Sequence, residues 1–395
     1  MPPSVAAQRF GFIDWYRGLA CVLMFQTHAY DAWVAEPYRG GYWWWLARPF
    51  LGGFPARMFL LLAGVSLMLR FAGDLRRGKT DAAARRGAAA RGFEVFLLGY
   101  AFRVGEWIIG GARPSAAWAL LKFDVLQCIG VTLMISAFVA APRDTQPGQR
   151  LPLRPLVVAL VVALGTPLLQ KLGHPPQLPR WLPILLWGDH DLMPFPLLPW
   201  VSYTLTGCCV GAFLLRGTAA GTLGRTVLGL AIVGAVVGAL GKLGGRVDIP
   251  IYRPTAAVPI PATPVSYLFR SGTCIVGLAG AYWLEQWRSR RAPVADAAAG
   301  WQKAWAKFNP LLWLGQASMT VYMVHLDLVY NIWSYPIKHK LTPAAATALL
   351  GVLTALMIWL AYYRTARTAR PRARPALASS AAAATASPKS STNAD

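Results

Sequence analysis

Phe10-Gly-Phe-Ile-Asp14-Trp-Tyr-Arg17-Gly-Leu-Ala-Cys21-Val-Leu-Met24-Phe-Gln-Thr-His28 is apolar at most positions and long enough to cross most of a hydrocarbon core. At about 100° per residue, positions 14, 17, 21, 24 and 28 fall within roughly 80° of one another on a helix. Asp14 and His28 then stand about 21 Å apart along that face. Ionisable groups at membrane depth are costly, and by default they face a polar cavity and mark a functional site. The segment therefore reads as a membrane helix that lines an interior site.

Nine further apolar stretches follow, near 50–70, 92–111, 122–141, 155–171, 195–215, 225–243, 265–287, 310–330 and 343–363. Only 14% of the residues are charged, against about 25% in soluble domains. The pattern predicts an all-α polytopic integral membrane bundle of about ten transmembrane helices, with both termini cytoplasmic. The orientation comes from the basic residues. Twenty-four of the 39 Lys and Arg fall in the termini and loops assigned to the inside, and nine in those assigned to the outside. This is the positive-inside bias. It accounts for the net charge of +23 without nucleic acid as a partner. Residues 8–365 form one membrane domain. Residues 376–395 read as a disordered Ala/Ser-rich tail. The first span has no small-x-small site after it and is expected to stay as a helix rather than be cleaved. Trp33, Trp43, Trp44, Trp45, Trp181, Trp187 and Trp200 are placed as an outer interfacial belt. Cys21, Cys128, Cys208, Cys209 and Cys274 fall in spans without metal-type spacing, so neither a metal site nor a disulfide framework is expected.

The chemistry concentrates on three spans. His28 is the sharpest candidate, because an imidazole can take up and return a proton near neutrality. Asp14 and Arg17, three residues apart, can pair, with Arg17 either snorkelling to the inner interface or meeting a phosphate-bearing donor from the cytosol. Asp124, Gln127 and Cys128 lie at i, i+3 and i+4. Ser318, Tyr322 and His325 lie at i, i+4 and i+7. Each triplet can face the same cavity as His28 or bond a neighbouring helix. Arg57, Arg103, Glu106 and Arg270 are further charges in spans, with Arg103 and Glu106 expected to pair. In the outer loop Gly188-Asp189-His190-Asp191 the plainest reading is a solvated loop, with Asp189 and His190 as candidates for substrate contact and a metal only with further ligands. No phosphate-binding glycine loop, HExxH or GxSxG is present.

The first-span pattern Asp14-x-x-Arg17-Gly18-Leu19-Ala20 with Met24 and His28 resembles the opening of the heparan-alpha-glucosaminide N-acetyltransferase catalytic domain and its bacterial relatives. Phe54-Pro55 through Gly64-Val-Ser66, Leu126-Gln127 through Gly130, Pro199-Trp200 through Gly207, and Leu314-Gly315 through His325 are similar to later motifs of that family, in order. The resemblance implies transfer of an acetyl group from cytosolic acetyl-CoA, as co-substrate, to a sugar amine or hydroxyl on the far side. It implies acyl-CoA, an envelope glycan and membrane lipid as partners. The more distant type-3 membrane acyltransferases carry a catalytic first-helix histidine, which His28 would match. Relatives whose histidine follows that helix have no counterpart here between Tyr30 and Ser66. On this reading His28 is the general base, Arg17 with Asp14 meets the donor, and Gln127, Tyr322 and His325 orient the reacting groups. A transporter or flippase would also hold intramembrane charges, but no paired Gly/Pro-broken helices recur in two halves. Short loops, and Asn309, Asn331 and Asn393 lying outside any Asn-x-Ser/Thr site, fit a bacterial inner membrane. A homodimer is compatible with the sequence.

Overall fold

The computed structural model describes residues 10–41, 44, 51–141, 151–171, 177–179, 181–187, 194–247, 249–252, 263–290 and 308–369. Among them the regular elements are all helices, apart from one isolated β-bridge between Val34 and Leu341, and short turns join some of them. The helices are α1 (Gly11–Trp33), α2 (Pro55–Arg76), α3 (Asp81–Ile109), α4 (Val125–Val139), α5 (Leu153–Lys171), α6 (Trp181–Trp187), α7 (Leu197–Ala219), α8 (Leu223–Gly244), α9 (Pro264–Arg290), α10 (Pro310–Gln316), α11 (Ser318–Tyr330) and α12 (Pro343–Ala369).

All ten apolar stretches are thus helical. Six of the resulting segments are long and apolar enough to cross a membrane by themselves: Leu51–Arg76, Ala117–Val139, Leu153–Lys171, Leu197–Ala219, Leu223–Gly244 and Pro343–Ala366. The other four depart for visible reasons. The helices α1, α3 and α9 carry several charges each, and the stretch near 310–330 breaks at Ala317 into α10 and α11. The chain is an integral membrane protein.

Helix ends follow local chemistry. Proline opens α2 and α10, where its missing N–H is no loss. Asp124 and Gln127 form a capping box on α4, and Asn309 Oδ1 accepts from Leu312 N at 3.3 Å on α10.

Helix α1 is central and touches α2, α9, α10, α11 and α12. Its contact with α10 is backbone on backbone. A Cβ at Gly18 would run into the Leu311 carbonyl, and one at Gly315 into the Asp14 carbonyl. The same device joins α2 to α7, where Gly64 faces the Thr204 carbonyl and Gly207 the Leu61 carbonyl. Such close approach gains dispersion contacts where water cannot drive association. The span of α7 is 83% buried and that of α8 only 17%. Leu228, Ile232, Val236 and Leu240 leave an apolar face on α8, as lipid contact requires. Trp181 is exposed, whereas Trp33 is 3% exposed and packs in the core beside α11. Trp33 is therefore core, not belt.

Candidate active site

One cavity of about 710 Å³ opens at the end of the bundle where α1 finishes and α2, α4 and α7 begin. From α1 it takes Met24, Thr27, His28 and Asp31. From α2 it takes Arg57 and Phe59, from α3 Arg103 and Glu106, and from α7 Trp200. Helix α11 adds Ser318, Tyr322 and Tyr330. The wall mixes apolar side chains with many polar and ionisable ones, His28, Asp31, Arg57, Arg103, Glu106, Lys122 and Asp124 among them, as a site for a polar ligand offers.

His28 sits on this wall, and His325 sits behind it. His28 Nδ1 lies 2.9 Å from His325 Nε2. The two rings are parallel within 3°, with centroids 5.2 Å apart. That centroid separation exceeds the nitrogen separation by about one ring width, so the rings meet edge to edge in nearly one plane. His325 Nδ1 lies 2.8 Å from the Val321 carbonyl, which only accepts. Nδ1 of His325 therefore carries a proton and donates it. His325 is fully buried and no carboxylate among the described residues touches it, so the ring is neutral and its Nε2 is a bare acceptor. His28 must then donate from Nδ1, which leaves its own Nε2 with the lone pair. Two hydrogen bonds fix the tautomer that a base requires. Phe25 and Tyr322 hold the His325 ring, at 4.9 and 5.7 Å between centroids.

Beside His28, Tyr330 Oη donates to Asp31 Oδ2 at 3.0 Å, and the Tyr330 ring meets the imidazole edge-on at 5.5 Å. Across the cavity, Arg103 pairs with Glu106 at 3.1 Å and also with Asp124. Arg57 is 5% exposed and lies over Trp200, 4.6 Å from its ring centroid.

The sequence candidates divide. His28 and Tyr322 line the cavity, and His325 supports it. Gln127 does not line it; its Oε1 accepts from Asp124 N at 3.2 Å in the α4 cap. Asp14 and Arg17 are also outside its lining. They pair at 2.8 Å, and Arg17 reaches Ser66 Oγ on α2 at 3.1 Å. Asp189 and His190 lie outside the described residues. From sequence Asp31 and Tyr330 are given no role, Trp200 is placed in the interfacial belt, and Arg57 is only a charge in a span. A cation three residues into an apolar helix was the available signal.

The catalytic-domain family described as heparan-alpha-glucosaminide N-acetyltransferase matches residues 9–243, more than half of the chain and including α1 to α8 with His28, Arg57, Arg103 and Trp200. No curated protein matches the chain. The chain belongs to this family.

Proposed function

From that membership, we propose that this acetyltransferase-family protein moves an acetyl group from cytosolic acetyl-CoA to a sugar amine or hydroxyl on the outer side of a bacterial inner membrane, through a bundle of ten crossings with both termini inside. His28 is the general base. Its Nε2 takes the proton from the acceptor nitrogen or oxygen as that atom attacks the thioester carbonyl. The tetrahedral intermediate collapses, the C–S bond breaks, and the coenzyme A thiolate leaves with the proton returned from His28. His325 is a positioning residue that holds the tautomer. Tyr322 orients the reacting carbonyl. Arg17, paired with Asp14, meets the donor's phosphates at the inner end.

The observation that carries this reading is the His28–His325 pair on the cavity wall: a buried acceptor behind the ring makes little sense for a passive transport path, and it is what a base needs. Membranes given radiolabelled acetyl-CoA should label an acceptor, and His28→Ala should abolish labelling while the protein stays folded and inserted. Labelling at the wild-type rate in that variant refutes the role. Coenzyme A should also raise the melting temperature of the detergent-purified protein; a transporter of unrelated cargo gains no such protection.

A further inference from the structure

Arg17, Arg57, Arg103 and Arg270 are arginines set among apolar residues of α1, α2, α3 and α9. Two are matched by carboxylates, Arg17 by Asp14 and Arg103 by Glu106 and Asp124. Among the described residues, no carboxylate forms an ion pair with Arg57 or Arg270.

Their surroundings are neutral. Arg57 Nε donates to Tyr203 Oη at 3.2 Å, and Nη1 donates to the Gly53 carbonyl. The guanidinium stacks on Trp200 and lies 5.5 Å from the Tyr203 ring centroid. Arg270 Nε donates to Ser266 Oγ at 3.2 Å. Its guanidinium carbon lies 5.7 Å from the Phe54 ring centroid, and its Nη1 is buried with no hydrogen-bond partner among the described residues. The two side chains converge on one residue. Arg57 bonds the Gly53 carbonyl, and a Cβ on Gly53 would run into Arg270 Nη1. Gly52, next in the chain, is in the cavity wall with Arg57 and His28.

Two cations so placed repel each other, and a buried charge without a partner is strongly unfavourable. A fold that only needed packing here would use apolar side chains. Guanidinium forks match planar or tetrahedral oxyanions with two parallel hydrogen bonds. We infer that Arg57 and Arg270 form an oxyanion subsite, and that the acyl acceptor carries a phosphate or carboxylate that docks there while its amine or hydroxyl meets His28. The identity of that ligand as acceptor rests on the acyl-transfer reading; the binding of the oxyanion does not.

The test uses thermal melting of the detergent-purified full chain with inorganic phosphate, glucose 1-phosphate and glucuronate, each against chloride at equal ionic strength. Wild type and His28→Ala should both be stabilised by at least one of the two sugars. Which sugar is stronger identifies the source of the oxyanion. Arg57→Gln and Arg270→Gln should bind it roughly tenfold or more weakly, as the loss of a charge-assisted hydrogen bond predicts. Without ligand, both variants should melt no lower than wild type, because the repulsion is relieved; a merely structural arginine would lower that temperature. A Gln variant that fails to fold shows a structural contribution as well, and Arg57→Lys and Arg270→Lys, which keep the charge but lose the fork, must then still weaken the response, or the inference fails. No oxyanion effect in wild type, or an equal effect in all variants, overturns the inference. Acetyl-CoA and acetyl-pantetheine complete the set. If the advantage of acetyl-CoA over acetyl-pantetheine disappears in Arg57→Gln, the pair holds the donor and the assignment to the acceptor fails. A His28→Ala protein that keeps both acyl transfer and the oxyanion response refutes the catalytic base and leaves the subsite standing.

Discussion

Replacing His325 separates a positioning role from a packing role. In His325→Leu the apolar side chain fills much the same volume, and the Val321 carbonyl keeps the residue-325 backbone N–H one turn on in α11. What disappears is the acceptor 2.9 Å from His28 Nδ1. A buried donor without a partner costs about 1–3 kcal/mol. His28 will rotate or change tautomer to avoid that cost, and returning it to the reactive pose restores the cost in the barrier. At 1.36 kcal/mol per tenfold, kcat should fall roughly 5- to 150-fold. His325→Gln is the informative partner. Its side-chain carbonyl can accept from Nδ1, so kcat should fall by less than about tenfold, within the range of one neutral hydrogen bond. Because His325 lies behind the wall, KM for the acceptor should not change in either variant. Initial rates with radiolabelled acetyl-CoA over a range of acceptor concentrations measure both constants, with melting temperatures as the control for folding. Wild-type kcat in His325→Leu refutes the relay. So does a loss that appears only in KM, or one in which Leu and Gln are equally impaired.

Three further outcomes follow from the same structure. Gly64→Val sets two methyl groups against the Thr204 carbonyl, a backbone atom that cannot rotate away. It should destabilise the bundle by about 3 kcal/mol or more, whereas Gly105→Ala, where a Cβ meets nothing within 4 Å, should be neutral or stabilising by up to about 1 kcal/mol; denaturant titration compares them. Arg103→Ala leaves Glu106 and Asp124 without their cation and should cost about 1–3 kcal/mol, part of which Asp124→Asn should recover in the double variant, a coupling read from the mutant cycle. Arg17→Ala should reduce protection by acetyl-CoA while leaving protection by acetyl-pantetheine unchanged; equal loss of both means that Arg17 serves the fold alone.

The period of the first helix was legible, and so was its ionisable face. Its neighbours were not. Positions 14, 17, 21, 24 and 28 do share a stripe, but that stripe meets two environments. Asp14 and Gly18 lie against α10, through Gly315 and Leu311. Cys21 is fully buried, with its sulfur 4.0 Å from the Leu314 carbonyl. Only Met24 and His28 reach the cavity. A helical repeat reports which residues face together, not what they face. Gln127 shows the complementary problem. Read on a helix beginning near 122, it shares a face with Asp124. The helix begins at Val125, so Asp124 becomes the cap and Gln127 its reciprocal partner. Three residues of boundary moved a side chain from a candidate site to a helix end. Arg57 was visible as a charge in an apolar run. Its meaning depends on Trp200 and Arg270, which are distant in the chain and have no spacing that links them to it.

The separation of Arg17 from the cavity bears directly on how a donor could be used. The deepest α1 residue on the cavity wall is Met24, seven residues beyond Arg17, or about 10 Å along the helix. Between them Gly18 is pressed on the Leu311 carbonyl, and Ala20 and Cys21 are fully buried. On the α2 side, the Arg17–Ser66 hydrogen bond spans the gap. If Arg17 holds the phosphates of a donor whose thioester reaches His28, this packed section is what the pantetheine arm must pass. The α1–α10 contact is backbone against backbone and cannot yield by rotating a side chain. The α1–α2 contact is made by side chains, an apolar cluster that holds Ile13, Tyr16 and Ala20 with Met58, Leu61 and Val65 and the hydrogen bond from Arg17. A phosphate that takes over the Arg17 guanidinium removes that bond from Ser66, so on this reading donor binding loosens the polar part of the α1–α2 seam. On the same reading, a seam that is closed without donor keeps the cavity from joining the opposite side of the membrane.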